Sequence, residues 1–577
     1  MKKIFLAVAL LLMFSSPSWA ANRYVRTAGG NYSTAATWAS TSGGTDSVAV
    51  PTSADDVFLD ANSGQLTIDA ASAAKSVNCT GYTGTLTHNA FVWTVAGSVT
   101  FVSGMTYTPL ETSTVTLSAT NTLTTAGKLF PLMILNTGIT TTLADGLNFM
   151  ASKVITLTLN GSSLTLNGQT VSGNSATNRV LIRTNTLGTT YTITNTTGTF
   201  ANADFRDITL SAAADLSAIT GLSGNCGGNS GITFTTAADQ HWTSASGGNW
   251  STSGNWTSRV PLPQDDVYFD NAFSASQTVT ANMPRLGKSI DWTGASGTPA
   301  WGVNTEITCY GSVTWITGMT RSSWSNQLIY GGRGSFNIFT AGISQASGAI
   351  ESFGGTYTLL GAYTSVSIFT VSSGTLVDNG YSMSVTAFNS TNTNTRAITR
   401  SGTLTVTSTG TVYTHATATG LTLTDTGTIL LSNVSATSKT FAGGGLTYND
   451  LKIAGGGAGA VIITGANTFN RIYTDGGGTK SITLPGSTTT TILSGQGLGN
   501  ATNVITFTAS AGSATVSKAA GKVKWNYVSL TNIPSTGGAV FYAGINSTDG
   551  GGNTGWIFRN APSVAGSVMG GIPIPLG

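Results

Sequence analysis

The chain has 577 residues, of which 8% are charged and 73 are glycine, with a formal charge of +3. An average soluble protein carries about 25% charged residues, so an architecture of helices with solvated charged faces is excluded. The near-neutral balance argues against nucleic-acid binding by phosphate neutralisation.

The N-terminus reads as a secretory signal over residues 1–20. Lys2-Lys3 give the positive region, residues 4–14 the apolar run, and Ser18-Trp19-Ala20 the small residues before a cut. Neither this run nor any later one reaches the ~20 apolar residues of a spanning helix, so no membrane span is expected in the mature chain. Cleavage leaves 23 basic and 22 acidic side chains. The protein is expected to be secreted, extracellular or at the cell surface. Cys79, Cys226 and Cys309 are an odd number in a long chain, which is no disulfide framework. They read as buried or incidental thiols, and the sequence does not choose a pair.

The mature chain starts with a strand at Asn22-Arg23-Tyr24-Val25, followed by Gly29-Gly30-Asn31-Tyr32-Ser33-Thr34 and Trp38. A matching stretch, Gly247-Gly248-Asn249-Trp250-Ser251-Thr252 with Trp256, lies 218 residues on. Asp55-Asp56 then matches Asp265-Asp266 at an offset of 210, so the first copy has eight extra residues between. The stretch beginning Gly97-Ser98-Val99-Thr100 matches the one beginning Gly311-Ser312-Val313-Thr314. The copies close alike, at Gly227-Gly228-Asn229-Ser230-Gly231 and Gly551-Gly552-Asn553-Thr554-Gly555. Before each close lies an apolar strand, with Phe205 set against Trp525. The order of these matches reads as a duplication, with about 110 additional residues in the middle of the second copy.

Between openings and closes run short alternating strands broken by turn residues, such as Thr156-Leu157-Thr158-Leu159-Asn160-Gly161 and Thr403-Leu404-Thr405-Val406. Period-2 alternation places Leu, Val and Ile on one face and Thr or Ser on the other. The same pattern also builds hairpins in sandwiches. A stack of coils, however, absorbs a large insertion by adding coils, because each coil touches only its neighbours. The expectation is an all-β chain of two tandem duplicated β-solenoid domains, at 21–238 and 239–559, with an irregular tail at 560–577.

The openings, with Trp250 and Trp256 before Asp265-Asp266-Val267-Tyr268-Phe269-Asp270, and the Gly-Gly-Asn closes resemble secreted or virion-associated right-handed parallel β-helix proteins. Adhesin-like bacterial surface proteins and phage tail or minor structural proteins both carry such stretches. The resemblance implies a right-handed parallel β-helix and spans nearly all of the mature chain. It implies no activity.

The paired acids Asp55-Asp56 and Asp265-Asp266, with Asp60 or Asp270, offer oxygen ligands of the kind Ca²⁺ takes. Adjacent strand residues point to opposite faces, which favours a structural role: one caps a turn while the other is solvated. The nearby tryptophans offer either a sugar-stacking platform or a cover for the end of a coil stack, and the repeat context favours the cover. Asp475-Gly476-Gly477-Gly478 and Asp549-Gly550-Gly551-Gly552 read as tight turns. Asp145, Asp204, Asp207, Asp215, Glu351, Asp378, Asp425 and Asp450 are scattered, and His88, His241 and His415 look isolated. No catalytic, cofactor-binding or metal residue is assigned. The function expected is that of a non-enzymatic surface structural or adhesin-like protein contacting glycans or neighbouring copies. A polysaccharide lyase or hydrolase and a phage-type tail fibre are the alternatives.

Overall fold

The computed structural model describes residues 20–562, apart from 196, 220, 274–276, 325, 455–458, 475–479 and 496–498. The signal segment up to residue 19, the tail from 563 and the Asp475 turn fall outside the described residues. The rest is nearly all β: parallel strands stacked as the coils of a β-solenoid, about 22 turns in all. The chain divides after Thr236 into two compact units, each with its own apolar core.

In the first unit, the strand after each corner pairs with the equivalent strand one coil on. Val57 pairs with Val77, Val77 with Val99, Val99 with Leu123 and Leu123 with Leu143, all parallel and all buried. Alternation along each strand produces this: one set of side chains fills the interior while Thr and Ser face out. The turn at Asn167-Gly168 shows how the corners form. Both residues have positive φ, 50° and 78°, which Asn tolerates and Gly adopts freely. Ser163–Thr165 and Thr170–Ser172 on either side belong to different sheets, so the turn is a corner of a coil and not a hairpin.

At the opening of each unit a pairing breaks the parallel rule, in the second unit as a single antiparallel bridge between Trp242 and Trp256 and in the first as a strand pair. Trp38–Ala39 runs antiparallel to Asn22–Val25, with Val25 opposite Trp38 and Tyr24 opposite Ala39. It covers the first edge of the sheet, which would otherwise offer unpaired backbone groups to another chain.

The second unit is built on a sheet of 19 strands, and its middle coils are wider. The 13-residue strand Ser347–Leu359 pairs through its first half with Gln327–Tyr330 and through its second half with Ser335–Phe339. Inside these coils the rings of Phe369, Phe388, Tyr413 and Phe441 stack one above the next, with centroids 6.0, 5.8 and 4.6 Å apart. Among the described residues no helix is long and apolar enough to cross a membrane. All three cysteines are buried, and burial pushes the thiols of Cys79 and Cys309 up to about 12.

Candidate functional site: the opening coils and the outward face

Each unit opens on a single turn of 3-10 helix, Ala35–Thr37 in the first and Ser253–Asn255 in the second. The tryptophan after each turn folds back: Trp38 Nε1 donates to the Tyr32 carbonyl at 2.9 Å, and Trp256 Nε1 to the Trp250 carbonyl at 2.7 Å. Both indoles are buried. In the second unit they join a larger cluster, with Trp242 edge-on to Trp256 at 4.9 Å and Phe269 stacked on Trp292 at 3.8 Å. Trp250 and Trp292 each stand perpendicular to Trp301, at 5.8 and 5.9 Å. That arrangement sets ring edges against ring faces, the T-shaped geometry that aromatic pairs favour. With their ring faces inside the core, these tryptophans offer no sugar platform.

The acid pairs are occupied by donors. Asp55 is buried and accepts the Ala21 amide at 3.1 Å and both the amide and hydroxyl of Thr52 at 2.8 Å. Asp265 accepts the Ala238 amide at 2.9 Å, the Leu262 amide at 2.8 Å, and two nitrogens of Arg259 at 2.6 and 3.1 Å. The second acid of each pair points the other way, to a lysine one coil on: Lys75 Nζ lies 2.9 Å from Asp56, and Lys288 Nζ 3.2 Å from Asp266. Burial opposes ionisation of Asp56, but hydrogen bonds from Ser76 and Lys75 hold its carboxyl below the usual range. Carboxylates ringed by N–H and cationic donors are built to stay in place, whereas a Ca²⁺ site needs converging oxygens. Among the described residues no three of His, Cys, Asp and Glu come together as a metal site would require.

His241 is not isolated. Its Nδ1 lies 2.7 Å from Asp270, and its ring stacks on Tyr268 at 5.1 Å. The partners are 29 residues apart and meet because they sit on neighbouring coils. His88 bonds the Tyr107 hydroxyl at 2.9 Å and the Phe91 carbonyl at 3.0 Å, and His415 faces the hydroxyls of Tyr413 and Tyr448.

Burial holds His88 down to about 4 and His415 to about 3, the latter aided by Arg400 and Arg396. An unfolded imidazole titrates near 6.5. Below that pH the unfolded chain takes up protons that the folded chain refuses. Stability is therefore fully present above pH 6.5 and falls as the pH drops toward 4, by about 1.4 kcal/mol per pH unit for each histidine. Urea unfolding midpoints at pH 7 and pH 5 test this: the lower pH should give the lower midpoint, and a flat profile would contradict it.

The closing coils also carry matching interactions. Asn229 Nδ2 donates to the Phe205 carbonyl at 2.9 Å while its Oδ1 accepts the Ile208 amide at 2.9 Å. Asn553 does the same to the Leu530 carbonyl and the Ile533 amide, at 2.7 and 2.9 Å. By this side-chain contact Leu530 stands where Phe205 does. By sheet position Trp525 does, two residues before the left-handed Tyr527 that leads into the long sheet as Asp207 does. Asp207 and Asn532, with φ of 62° and 57°, are both left-handed corners.

Several of the remaining acids are held in the walls, while Asp215 is exposed and accepts the amide and hydroxyl of Ser217. Asp204 binds Arg179 at 2.7 Å with both side chains buried, and Asp207 accepts the Gly188 amide at 3.1 Å. Asp145 accepts the Thr125 and Ala126 amides, and Asp378 those of Ser401 and Gly402. Asp425 pairs with buried Arg400 at 3.2 Å, and Asp450 with Arg471 at 2.8 Å. One open cleft of about 610 Å³ lies in the first unit beside Pro51 and Thr52, lined by Ser33, Ser53, Ser72, Thr94, Val50 and Val92 as well. Its lining contains no acid and no base.

What the coils do present outward is hydroxyl. Along the long sheet of the first unit Thr122 pairs with Thr142, Thr142 with Thr165 and Thr165 with Thr194. A second row runs beside it: Thr140 opposite Ser163, then Thr192, Thr209 and Ser230 in register. All are half-buried or exposed. Successive rungs lie about 4.8 Å apart, and neighbouring rows about 7 Å, or two residues, apart.

No protein-family model, curated protein or solved structure matches the chain.

Proposed function

We propose that the protein is a secreted, right-handed and internally duplicated β-solenoid that acts as an adhesive or structural element at a cell surface. It makes extended contacts with glycans or with neighbouring copies. The observation that carries this reading is the outward pair of Thr and Ser rows on the first unit. A hydroxyl both donates and accepts, so such rows meet the alternating donors and acceptors of a sugar chain without charge. Each contact is weak, and many in register make a useful whole. Secretion favours a bacterial surface over a virion, since virion proteins assemble in the cytoplasm. Duplication is supported by the matched opening and closing interactions, and the greater length of the second unit by added coils.

The test is a glycan array combined with a reducing-end assay on the mature chain. Binding is expected to survive about 0.5 M salt, because screening removes only charge–charge attraction, and no reducing ends should appear. Replacing Thr142 and Thr194, two rungs apart, with lysine should weaken binding about tenfold or more while moving the unfolding midpoint little. Release of reducing ends would place the protein among the glycan-cleaving enzymes. A chain that binds no glycan and does not self-associate would remove the adhesive reading.

A further inference from the structure

Secretion with a cut after Ala20, the reading on which this inference rests, gives the mature chain a new end at Ala21. Ala20 is exposed and Ala21 immediately precedes the first strand, Asn22–Val25. The Ala21 nitrogen lies 3.1 Å from Asp55 Oδ1, and its carbonyl accepts the Asp56 amide at 3.0 Å. Asp55 is only 1% exposed. Its nearest cation is Arg23, whose guanidinium stops 3.7 Å short, beyond the reach of a good hydrogen bond.

The second unit solves the same problem differently. Arg23 pairs with Val57, and Gln240 with Val267, so Ala21 and Ala238 hold the same position two residues earlier. Each donates its backbone nitrogen to the buried acid of its own unit. Ala238 is internal and can donate only an amide, and there Arg259 grips Asp265 through two nitrogens. When the two openings are aligned, Thr41 stands where Arg259 does. The first unit thus has a buried carboxylate in the same socket without the close guanidinium. A buried ion is costly unless it is closely paired.

We propose that cleavage after Ala20 creates the missing cation: the α-ammonium of Ala21 is captured by Asp55 and locks the opening coil of the mature protein. The step is a peptide hydrolysis catalysed by a signal peptidase. One water adds across the Ala20–Ala21 bond, leaving a carboxylate on the departing Ala20 and an ammonium on Ala21. The ammonium replaces a neutral amide at a position already within hydrogen-bond reach, and a charge-assisted bond is roughly twice as strong as a neutral one. Asp55 therefore serves as a sensor of processing.

The test compares full-length mature chains that begin at Ala21 with chains that keep Ala20, each with Asp55 and with Asp55→Asn. The chain starting at Ala21 should melt roughly 5 °C higher in its first unit. Its Asp56 amide should exchange about tenfold more slowly. Both differences should vanish in the Asp55→Asn pair. Equal behaviour of the two chain starts, or a difference that persists in Asp55→Asn, overturns the capture. N-terminal sequencing of exported protein gives the second arm, with Ala21 expected first. Export with another start overturns the capture but leaves secretion intact. Retention of the whole chain in the cytoplasm overturns secretion itself, whatever the stability comparison gives.

Discussion

Trp256→Ala is expected to lower the unfolding free energy of the second unit by about 4 kcal/mol, the range seen when a large buried aromatic is truncated to alanine. Trp256 packs against Trp250 at 4.7 Å, Trp242 at 4.9 Å and Phe269 at 5.9 Å, and its indole nitrogen ties the Trp250 carbonyl. Truncation opens a cavity among rigid rings that have little freedom to collapse into it, and it deprives the carbonyl of its donor. Because each coil contacts only its neighbours, the loss should fray the unit from this end. Amide protection should fall first around 240–292, while the coils at 505–530 keep theirs. A control is Tyr381→Ala: that ring is 40% exposed and should cost under about 1 kcal/mol. Urea unfolding followed by peptide-resolved hydrogen exchange reads both. Uniform loss of protection along the whole unit would contradict the end-cap role.

That cap shows what was legible in the sequence. Trp250, Trp256 and the following Asp265-Asp266 can be read from sequence as an opening, because the same order of aromatic and acidic residues recurs at Tyr32, Trp38 and Asp55-Asp56. The structural bias of the acids was legible too, since adjacent residues in a strand face opposite ways. Asp55 turns into the wall, and Asp56 reaches the lysine of the next coil. The β-solenoid itself follows from period-2 alternation plus the unequal middle.

The illegible features all depend on coil-to-coil register, where partners are some 20–29 residues apart with no fixed spacing. His241 and Asp270 meet across such a gap. So do Arg400 and Asp425. The widened coils around Ser347–Leu359 give no local signal, because a strand carrying two neighbours side by side alternates like any other. Asp207, Tyr527 and Asn532 are all left-handed corners, so whether Phe205 matches Trp525 or Leu530 turns on the sheet and side-chain contacts between coils and not on the local sequence.

Register is also what the buried ion pair of the first unit is suited to enforce. Arg179 and Asp204 are both fully buried and 2.7 Å apart, on adjacent coils where Asp204 pairs with Leu181, two residues after Arg179. Arg179 additionally donates to the Ala176 carbonyl at 2.7 Å. Two charges taken out of water gain little net stability, since desolvation offsets their attraction, but removing one leaves the other uncompensated at about 3–5 kcal/mol. Arg179→Met and Asp204→Leu should therefore each destabilise the first unit by about that much. The double variant should recover to within about 1 kcal/mol of the parent, because an apolar pair fills the same volume without stranded charge. The coupling energy from this double-mutant cycle, measured by urea unfolding, should be about 5 kcal/mol or more. A one-residue slip between the coils would break this 2.7 Å contact while both charges stay buried. The pair thus penalises the wrong register far more than it stabilises the right one. Additive single and double losses would show instead that the two side chains act independently and that register is set by the apolar ladder around them.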